Sequence, residues 1–165
     1  MFSRRSIADM DISKYQHSES IDINATPNKV YDLVADITGY GRFSPVCTGG
    51  SWDNDERTWF TGTNAAGEMK WETKCRVDVA TPSSEFSFTN MGLGGENGLV
   101  EWSYKIESRD GGCTLSETWN VLPGYFDFMS QFVPDVAAHL DSTFAGTCES
   151  MKATLKAVKA EAESA

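Results

Sequence analysis

One carboxylate in the sequence occupies a position that packing alone does not explain. Apolar side chains alternate at Cys113, Leu115, Trp119 and Val121, which predicts a strand with one buried face, and Glu117 lies on that face. An unpaired buried carboxylate costs several kcal/mol. Glu117 therefore reaches solvent at a sheet edge, pairs with a donor inside the protein, or lies in a cavity wet enough to solvate it. In a cavity it would be placed to orient a ligand or to act as an acid.

Acid–base and nucleophilic chemistry have few other candidates. The chain has two histidines, His17 and His139, so an acid–base pair would have to combine Glu117 with His139. His139 lies one position away from the apolar stripe of a predicted helix, where a boundary residue is the commoner occupant. A Cys75–His139 pair stays open, but no positive side chain accompanies Cys75 on its own strand face. We assign no catalytic residue and keep Glu117 and His139 as weak candidates.

The cysteine pattern predicts no metal site and favours free thiols. The four cysteines, Cys47, Cys75, Cys113 and Cys148, contain no C-x-x-C pair. No metal and no cofactor is expected. An even count would allow two disulfides, but three of the four lie on apolar phases of their segments, where a buried thiol is the commoner occupant. The sequence favours reduced cysteines in a cytoplasmic protein.

Length and charge restrict the class of protein. The chain has 165 residues, enough for one domain with its own core, and a formal net charge of −10 at pH 7. This charge would repel nucleic acid and anionic membrane surfaces, so we expect neither as a partner. No stretch has the length of a transmembrane helix, and the N-terminus lacks the apolar run of a signal peptide. We expect residues 1–16 to form a flexible arm before a single domain at 17–165.

The elements that must position these residues begin with a strand and two short helices. Alternation over 17–25 predicts the first strand. Thr26 and Pro27 are then the N-cap and first residue of a short helix, and a second short turn of helix follows Asp36.

A long helix and further strands complete the predicted fold. Apolar positions three and four residues apart predict a helix from about Pro134 towards Glu163, with close packing or a slight bend at Gly146. Its apolar stripe is too long for one small neighbouring helix to cover, so we expect a curved sheet to close around it. The strands predicted by alternation are 57–63, 70–80, a segment around Phe86 and Phe88, 100–106 and 113–121; residues 91–98 read as a flexible glycine-rich loop.

Several motifs in this order resemble those of the bacterial polyketide cyclase and dehydrase group of the START-like superfamily, also called SRPBCC or Bet v 1-like. They are TPNKVYDLVADITGYGRFSP at 26–45, GGSWD at 49–53, Phe60, Gly62 and Asn64 of F-x-G-x-N, WETKCRV at 71–77, WSYKIE at 102–107 and GGCTLSETW at 111–119. The resemblance covers about residues 17–163. It implies an α+β helix-grip fold, in which a curved antiparallel sheet of about seven strands wraps around a long C-terminal helix, with two short helices after the first strand. It also implies a hydrophobic cavity, which relatives use to bind lipids, sterols, polyketides or quinones.

Inward-facing side chains of the predicted strands would line this cavity, together with central residues of the helix stripe. A solid core is the other interpretation, because aromatic strand faces are usually packing. The aromatic segment 123–132 is expected to form a lid. The candidate ligand-binding residues are Trp71, Thr73, Cys75, Phe86, Phe88, Trp102, Tyr104, Glu117, Trp119, Phe128, Phe132, Leu140 and Phe144.

Three functions fit this interpretation. The first is a non-catalytic carrier or sensor of a hydrophobic small molecule such as a lipid, a polyketide or a quinone. The sequence favours this function over the other two. The second is a polyketide cyclase or aromatase, in which Glu117 and His139 would act on the bound chain. The third is a co-chaperone-like interaction module on the same fold, which would need an exposed apolar patch. The protein is expected to be a monomer or a homodimer.

Overall fold

The computed structural model describes residues 11–164, which form an antiparallel sheet and three α-helices. The strands are β1 (Gln16–Ile23), β2 (Cys47–Trp52), β3 (Trp59–Ala66), β4 (Met69–Thr81), β5 (Glu85–Asn90), β6 (Val100–Arg109) and β7 (Gly112–Val121). The helices are α1 (Pro27–Val34), α2 (Gly124–Met129) and α3 (Val136–Glu163). The sheet order is β1-β7-β6-β5-β4-β3-β2. The fold is the predicted one, a seven-stranded curved sheet with a long C-terminal helix and short helices after the first strand.

The helix after β1 begins where the sequence predicts. The Thr26 side chain accepts a hydrogen bond from the backbone N–H of Lys29 at 3.2 Å, and Pro27 occupies the first helical position. The second short helix is a single 3₁₀ turn at Tyr40–Arg42, which is too short to present a regular apolar face.

The long helix begins slightly later than predicted. Asp135 is its N-cap, since its side chain accepts from the backbone N–H of Ala138 at 3.0 Å, so Pro134 lies outside the helix. Of the two alternatives predicted for Gly146, close packing is wrong, because a Cβ added there would meet no atom within 4 Å, and a slight bend stays a prediction. Within residues 11–164, neither α3 nor any other helix is long and apolar enough to cross a membrane.

Two core clusters fix α3 against the sheet. The first joins the end of α3 from Leu155 onwards to α1 and the strands, and the second joins the part of α3 up to Met151 to β6, β7 and α2. Members of the first cluster include Ile23, Val30, Leu115, Leu155 and Val158, and members of the second include Tyr15, Trp119, Phe126, Leu140 and Met151. Burying such side chains supplies most of the stability of a domain of this size.

The two faces of β4 differ less in solvent exposure than the alternation of apolar and polar residues suggests. Cys75 is buried, but Trp71 on the same face is 38% exposed. The pairing of β4 with β5 also shifts register between Val77 and Val79, which marks a β-bulge or irregularity. A strand with clean alternation can therefore be buried over only part of its length.

Residues 1–10 of the expected flexible arm lie outside the described residues. The rest of that segment is ordered: Ile12–Lys14 form a 3₁₀ turn, and Gln16 already belongs to β1. Tyr15 is only 2% exposed, packs in the second core cluster, and donates a hydrogen bond from its hydroxyl to the Asp141 carboxylate at 2.9 Å. The structured part of the chain therefore begins before the expected boundary at residue 17.

Candidate ligand-binding site

A cavity of about 280 Å³ lies between the inner face of the sheet and α3. Its lining comes from α1, the segment after α1, strands β2 to β7 and α3. Members of both core clusters contribute to it, among them Phe60 and Phe86 of the first and Trp119 and Met151 of the second. The interior is therefore not a solid core, and the aromatic strand faces surround a space.

Most of the strand residues named from the sequence lie on this cavity. The residues that face inward on these strands were predicted correctly, because side chains alternate between the two faces of a strand and the buried face is continuous from strand to strand. The sequence-derived candidates that line it are Trp71, Thr73, Cys75, Phe86, Phe88, Trp102, Tyr104, Glu117 and Trp119.

Four of the candidates lie elsewhere. Leu140 is buried in the second core cluster. The Phe144 ring packs against Trp119, with centroids 5.7 Å apart, and so sits behind a lining residue. Phe128 and Phe132 pack on each other, and Phe132 is 63% exposed. The segment expected to form a lid thus contributes α2 to the second core cluster and no side chain to the cavity lining.

The helix face that lines the cavity overlaps its apolar stripe only at Met151. Thr147, Met151 and Thr154, spaced at i, i+4 and i+7, line the cavity, and two of these three are polar. Hydrophobicity alone could not select the two threonines, because the stripe marks mainly the core contacts. The other side of the cavity was also missed: Val34, Ile37, Tyr40, Val46, Cys47 and Phe60 line it.

A cluster of three polar side chains lies in the lining, of which Tyr104 and Glu117 are buried and Tyr40 is half-buried. The Tyr104 hydroxyl donates to Glu117 Oε1 at 2.8 Å, and the Tyr40 hydroxyl is hydrogen bonded to the Tyr104 hydroxyl. Glu117 is 3% exposed and belongs to β7, which runs between β1 and β6. Solvent access at a sheet edge is therefore excluded, and Glu117 both pairs with an internal donor and faces the cavity.

Burial dominates the electrostatics of this cluster. It raises the pKa of Glu117 to about 8 from 4.5, with a further increase from the charge of Glu19 and an opposing effect of the Tyr104 hydrogen bond. Burial, followed by the nearby Glu117, also raises the pKa of both Tyr40 and Tyr104 well above the usual 10. At pH 7 the cluster is a neutral acid and two neutral phenols.

The structure does not bring together the other candidates for chemistry. His139 is half-buried on α3 and does not line the cavity, so it is not paired there with Glu117 or with Cys75. Burial raises the pKa of Cys75 to about 12, which leaves its thiol protonated and weakly nucleophilic. All four cysteines are free. Among residues 11–164, no three His, Cys, Asp or Glu side chains are grouped to hold a metal.

The cavity reaches the surface near the turn between β3 and β4. Trp71 lines the cavity and is also 38% exposed, and its partner across the strand pair is Asn64, which lines the cavity as well. Both lie within a few residues of the turn at Gly67. Trp71 and Asn64 therefore connect the cavity lining to the exposed end of the β3–β4 hairpin.

This architecture, a curved sheet and a long helix around an internal cavity, is the START-like class of ligand-cavity fold. The model of the family described as polyketide cyclase/dehydrase and lipid transport matches residues 15–163, and the chain belongs to that family. The motif resemblance is thereby confirmed. A comparison with curated proteins gave no match.

Solved structures with the same fold include one relative at substantial sequence identity. A polyketide-cyclase-like protein from Corynebacterium glutamicum is 34% identical, with 91% of each chain covered and a TM-score of 0.65. An aromatase/cyclase from Streptomyces sp. R1128 shares the fold at 15% identity, with 90% of this chain and 93% of that one covered and a TM-score of 0.66. A START superfamily protein from Mycobacterium smegmatis does so at 16% identity, with 90% and 97% covered and a TM-score of 0.63.

Proposed function

We propose that this protein binds an uncharged hydrophobic small molecule in the cavity and acts as its carrier or sensor. The observation that carries the proposal is the space of about 280 Å³ enclosed by aromatic and aliphatic side chains at the centre of the fold. Ligand pockets in proteins span about 300–1,000 Å³, so this one suits a compact molecule of a few rings better than a long lipid. The proposed ligand-contacting residues are the lining residues named above.

The charges of the lining support an uncharged ligand. None of the described residues that line the cavity is Lys or Arg, and its one carboxyl group, that of Glu117, is neutral at pH 7. A fatty acid carboxylate would therefore be buried without a counter-charge, which costs several kcal/mol. Fatty acids and other anions are poor candidates for the same reason.

A cyclase-type enzyme is the alternative, and one observation favours it: a neutral acid lies in the cavity at Glu117. Acid–base chemistry also needs a base, and His139 lies outside the lining. Binding without reaction is the simpler account. The interaction-module alternative would use the exposed apolar side chains Met69, Leu93 and Phe132.

Two further observations support a cytoplasmic protein without a nucleic-acid partner. The four free thiols support a cytoplasmic protein. The net charge of −10 supports a protein without a nucleic-acid partner.

A large side chain introduced on α3, where it would occupy the cavity, tests the proposal. Thr147 is half-buried and lines the cavity, whereas Thr143, one turn earlier, is exposed and does not. Each hydroxyl donates to the backbone carbonyl four residues before it, so Thr147→Phe and Thr143→Phe lose the same local bond. In a titration with the neutral fluorescent probe N-phenyl-1-naphthylamine, we expect Thr147→Phe to weaken binding at least about tenfold, because the ring occupies the space.

The Thr143→Phe variant should bind the probe like the wild type. Equal binding by both variants would place the probe on the surface and contradict the proposal, as would a wild-type protein that takes up none. Thermal unfolding of each variant shows whether a loss of binding reflects a filled cavity or an unfolded protein.

A further inference from the structure

One buried polar atom in the cavity has no partner. Glu117 Oε1 accepts from Tyr104, but Glu117 Oε2 has no hydrogen-bond partner, and among the described residues it is the one fully buried side-chain N or O atom in that condition. Glu117 is 3% exposed and its side chain lines the cavity. Buried polar groups in folded proteins are almost always satisfied, so an unsatisfied one that faces a cavity marks a place where a ligand atom or a water would bind.

The hydrogen bonds of the cluster determine what Oε2 offers. Tyr104 uses its proton on Glu117 Oε1, so the Tyr40 hydroxyl must be the donor in its bond to Tyr104. All the hydroxyl protons thus point towards Glu117. A neutral Glu117 then carries its own proton on Oε2, and the free group of the cluster is a hydrogen-bond donor.

Burial and the groups that face Glu117 keep its carboxyl group neutral. On β1, the residue directly opposite is Glu19, another carboxylate, and the nearby His17 imidazole is hydrogen bonded to Glu19. On β6 and in the turn after α1, the facing groups are the phenols Tyr104 and Tyr40. On α3, the lining residues are Thr147, Met151 and Thr154, none of which is charged. No described cation compensates an ionised Glu117, and burial raises its pKa to about 8.

We propose that Glu117 selects the ligand by donating its Oε2 proton to an uncharged acceptor oxygen, so that the ligand is a compact ring ketone rather than a hydrocarbon, an amine or a carboxylate. The proposal rests on the proposed function, since it names the class of molecule bound in the same cavity. A ketone oxygen needs one donor and has no proton of its own to satisfy. An alkylammonium group would instead bring three donors and would have to ionise Glu117.

Three probes on one bicyclic skeleton separate these chemistries: 1-tetralone, tetralin and 1-aminotetralin. Each is measured by displacement of N-phenyl-1-naphthylamine from the intact protein. We expect 1-tetralone to bind about tenfold more tightly than tetralin, because the ketone satisfies a donor that the hydrocarbon leaves unpaired. This preference should be present at pH 6 to 7 and should disappear as the pH rises through about 8, where Glu117 loses the proton it donates.

Variants at Glu117 test whether this side chain causes the preference for 1-tetralone over tetralin. Glu117→Leu should remove the preference for 1-tetralone and keep the affinity for tetralin. Glu117→Gln, whose amide can still donate, should keep part of it. Glu101→Gln, an exposed carboxylate on the neighbouring β6, should change nothing.

The outcomes distinguish the two proposals. If 1-tetralone and tetralin bind the wild type equally, if Glu117→Leu keeps the preference, or if 1-aminotetralin binds most tightly, the ketone inference is overturned while cavity binding stands. If N-phenyl-1-naphthylamine itself is not taken up and no tetralin derivative binds, the proposed function fails first. Unfolding temperatures of the Glu117 variants confirm that a lost preference is measured on folded protein.

Discussion

Glu117→Gln is expected to make the protein more stable than the wild type at alkaline pH while leaving its stability near pH 5 within about 1 kcal/mol. Folding raises the pKa of Glu117 from 4.5 to about 8, so the folded protein holds this proton more tightly than the unfolded chain. Stability from this group is therefore fully present below pH 4.5 and is lost as the pH rises through about 8. A shift of this size corresponds to about 5 kcal/mol at most. The glutamine amide does not ionise in this pH range, so the variant does not lose this stability as the pH rises.

Urea unfolding at a series of pH values, about pH 5 to about pH 9, measures the effect as a difference between wild type and variant. Because the other titrating groups are shared, the difference isolates Glu117. Glu107 is an exposed carboxylate on β6, and Glu107→Gln is the matched control. Its unfolding free energy should change with pH in the same way as that of the wild type. Parallel curves for Glu117→Gln and the wild type would show that Glu117 is solvated in the folded protein, against its burial in the structure.

Tyr15→Ala is expected to cost about 3 to 5 kcal/mol of unfolding free energy, the range for removing a large buried ring. Tyr15 is 2% exposed, its ring packs near Phe126 with centroids 6.3 Å apart, and its hydroxyl donates to Asp141 on α3. Tyr15→Phe, which keeps the ring and removes only the hydroxyl with its contacts to Asp141 and the Ala137 carbonyl, should cost about 1 kcal/mol. The residue therefore ties the start of the described chain to the long helix.

Chemical denaturation with Gln16→Ala as the control measures this prediction. Gln16 is the exposed neighbour of Tyr15 on β1, so its truncation should change stability by less than about 0.5 kcal/mol. A cost below about 1 kcal/mol for Tyr15→Ala would support the flexible arm inferred from the sequence, because a loose segment contributes little to the folded state.

The fold could be predicted in large part because most of its elements carry a local signal, although β2 and α2 were not among the predicted elements. Thr26 and Pro27 mark the start of α1, and the turn before Gly112 fixes the register of β6 and β7. That register places Tyr104 directly opposite Glu117, so their contact follows from the sequence once the turn is assigned. The burial of Tyr15 in the core could not be predicted from the sequence, because a single aromatic residue in a polar segment shows no hydrophobic periodicity.

The cavity lining could be predicted for most of its residues on β4 to β7, but not on β2, on β3 or on its helix side. A strand has two faces, so naming the buried one identifies its lining residues. A helix has a continuous range of faces, and the apolar stripe shows where α3 meets the core, which left Thr147 and Thr154 unrecognised. Tyr40 was missed because it lies in a short turn between glycines, whose direction depends on the whole fold.

Native mass spectrometry of the protein purified from its own source is the most direct test of the central claim, that the cavity holds a hydrophobic small molecule. We expect a stoichiometric complex with an uncharged molecule of a few rings, present in the wild type and absent from Thr147→Phe. Extraction would then identify the molecule and show whether it carries a ketone. An empty wild-type protein that also fails to take up N-phenyl-1-naphthylamine would contradict the account.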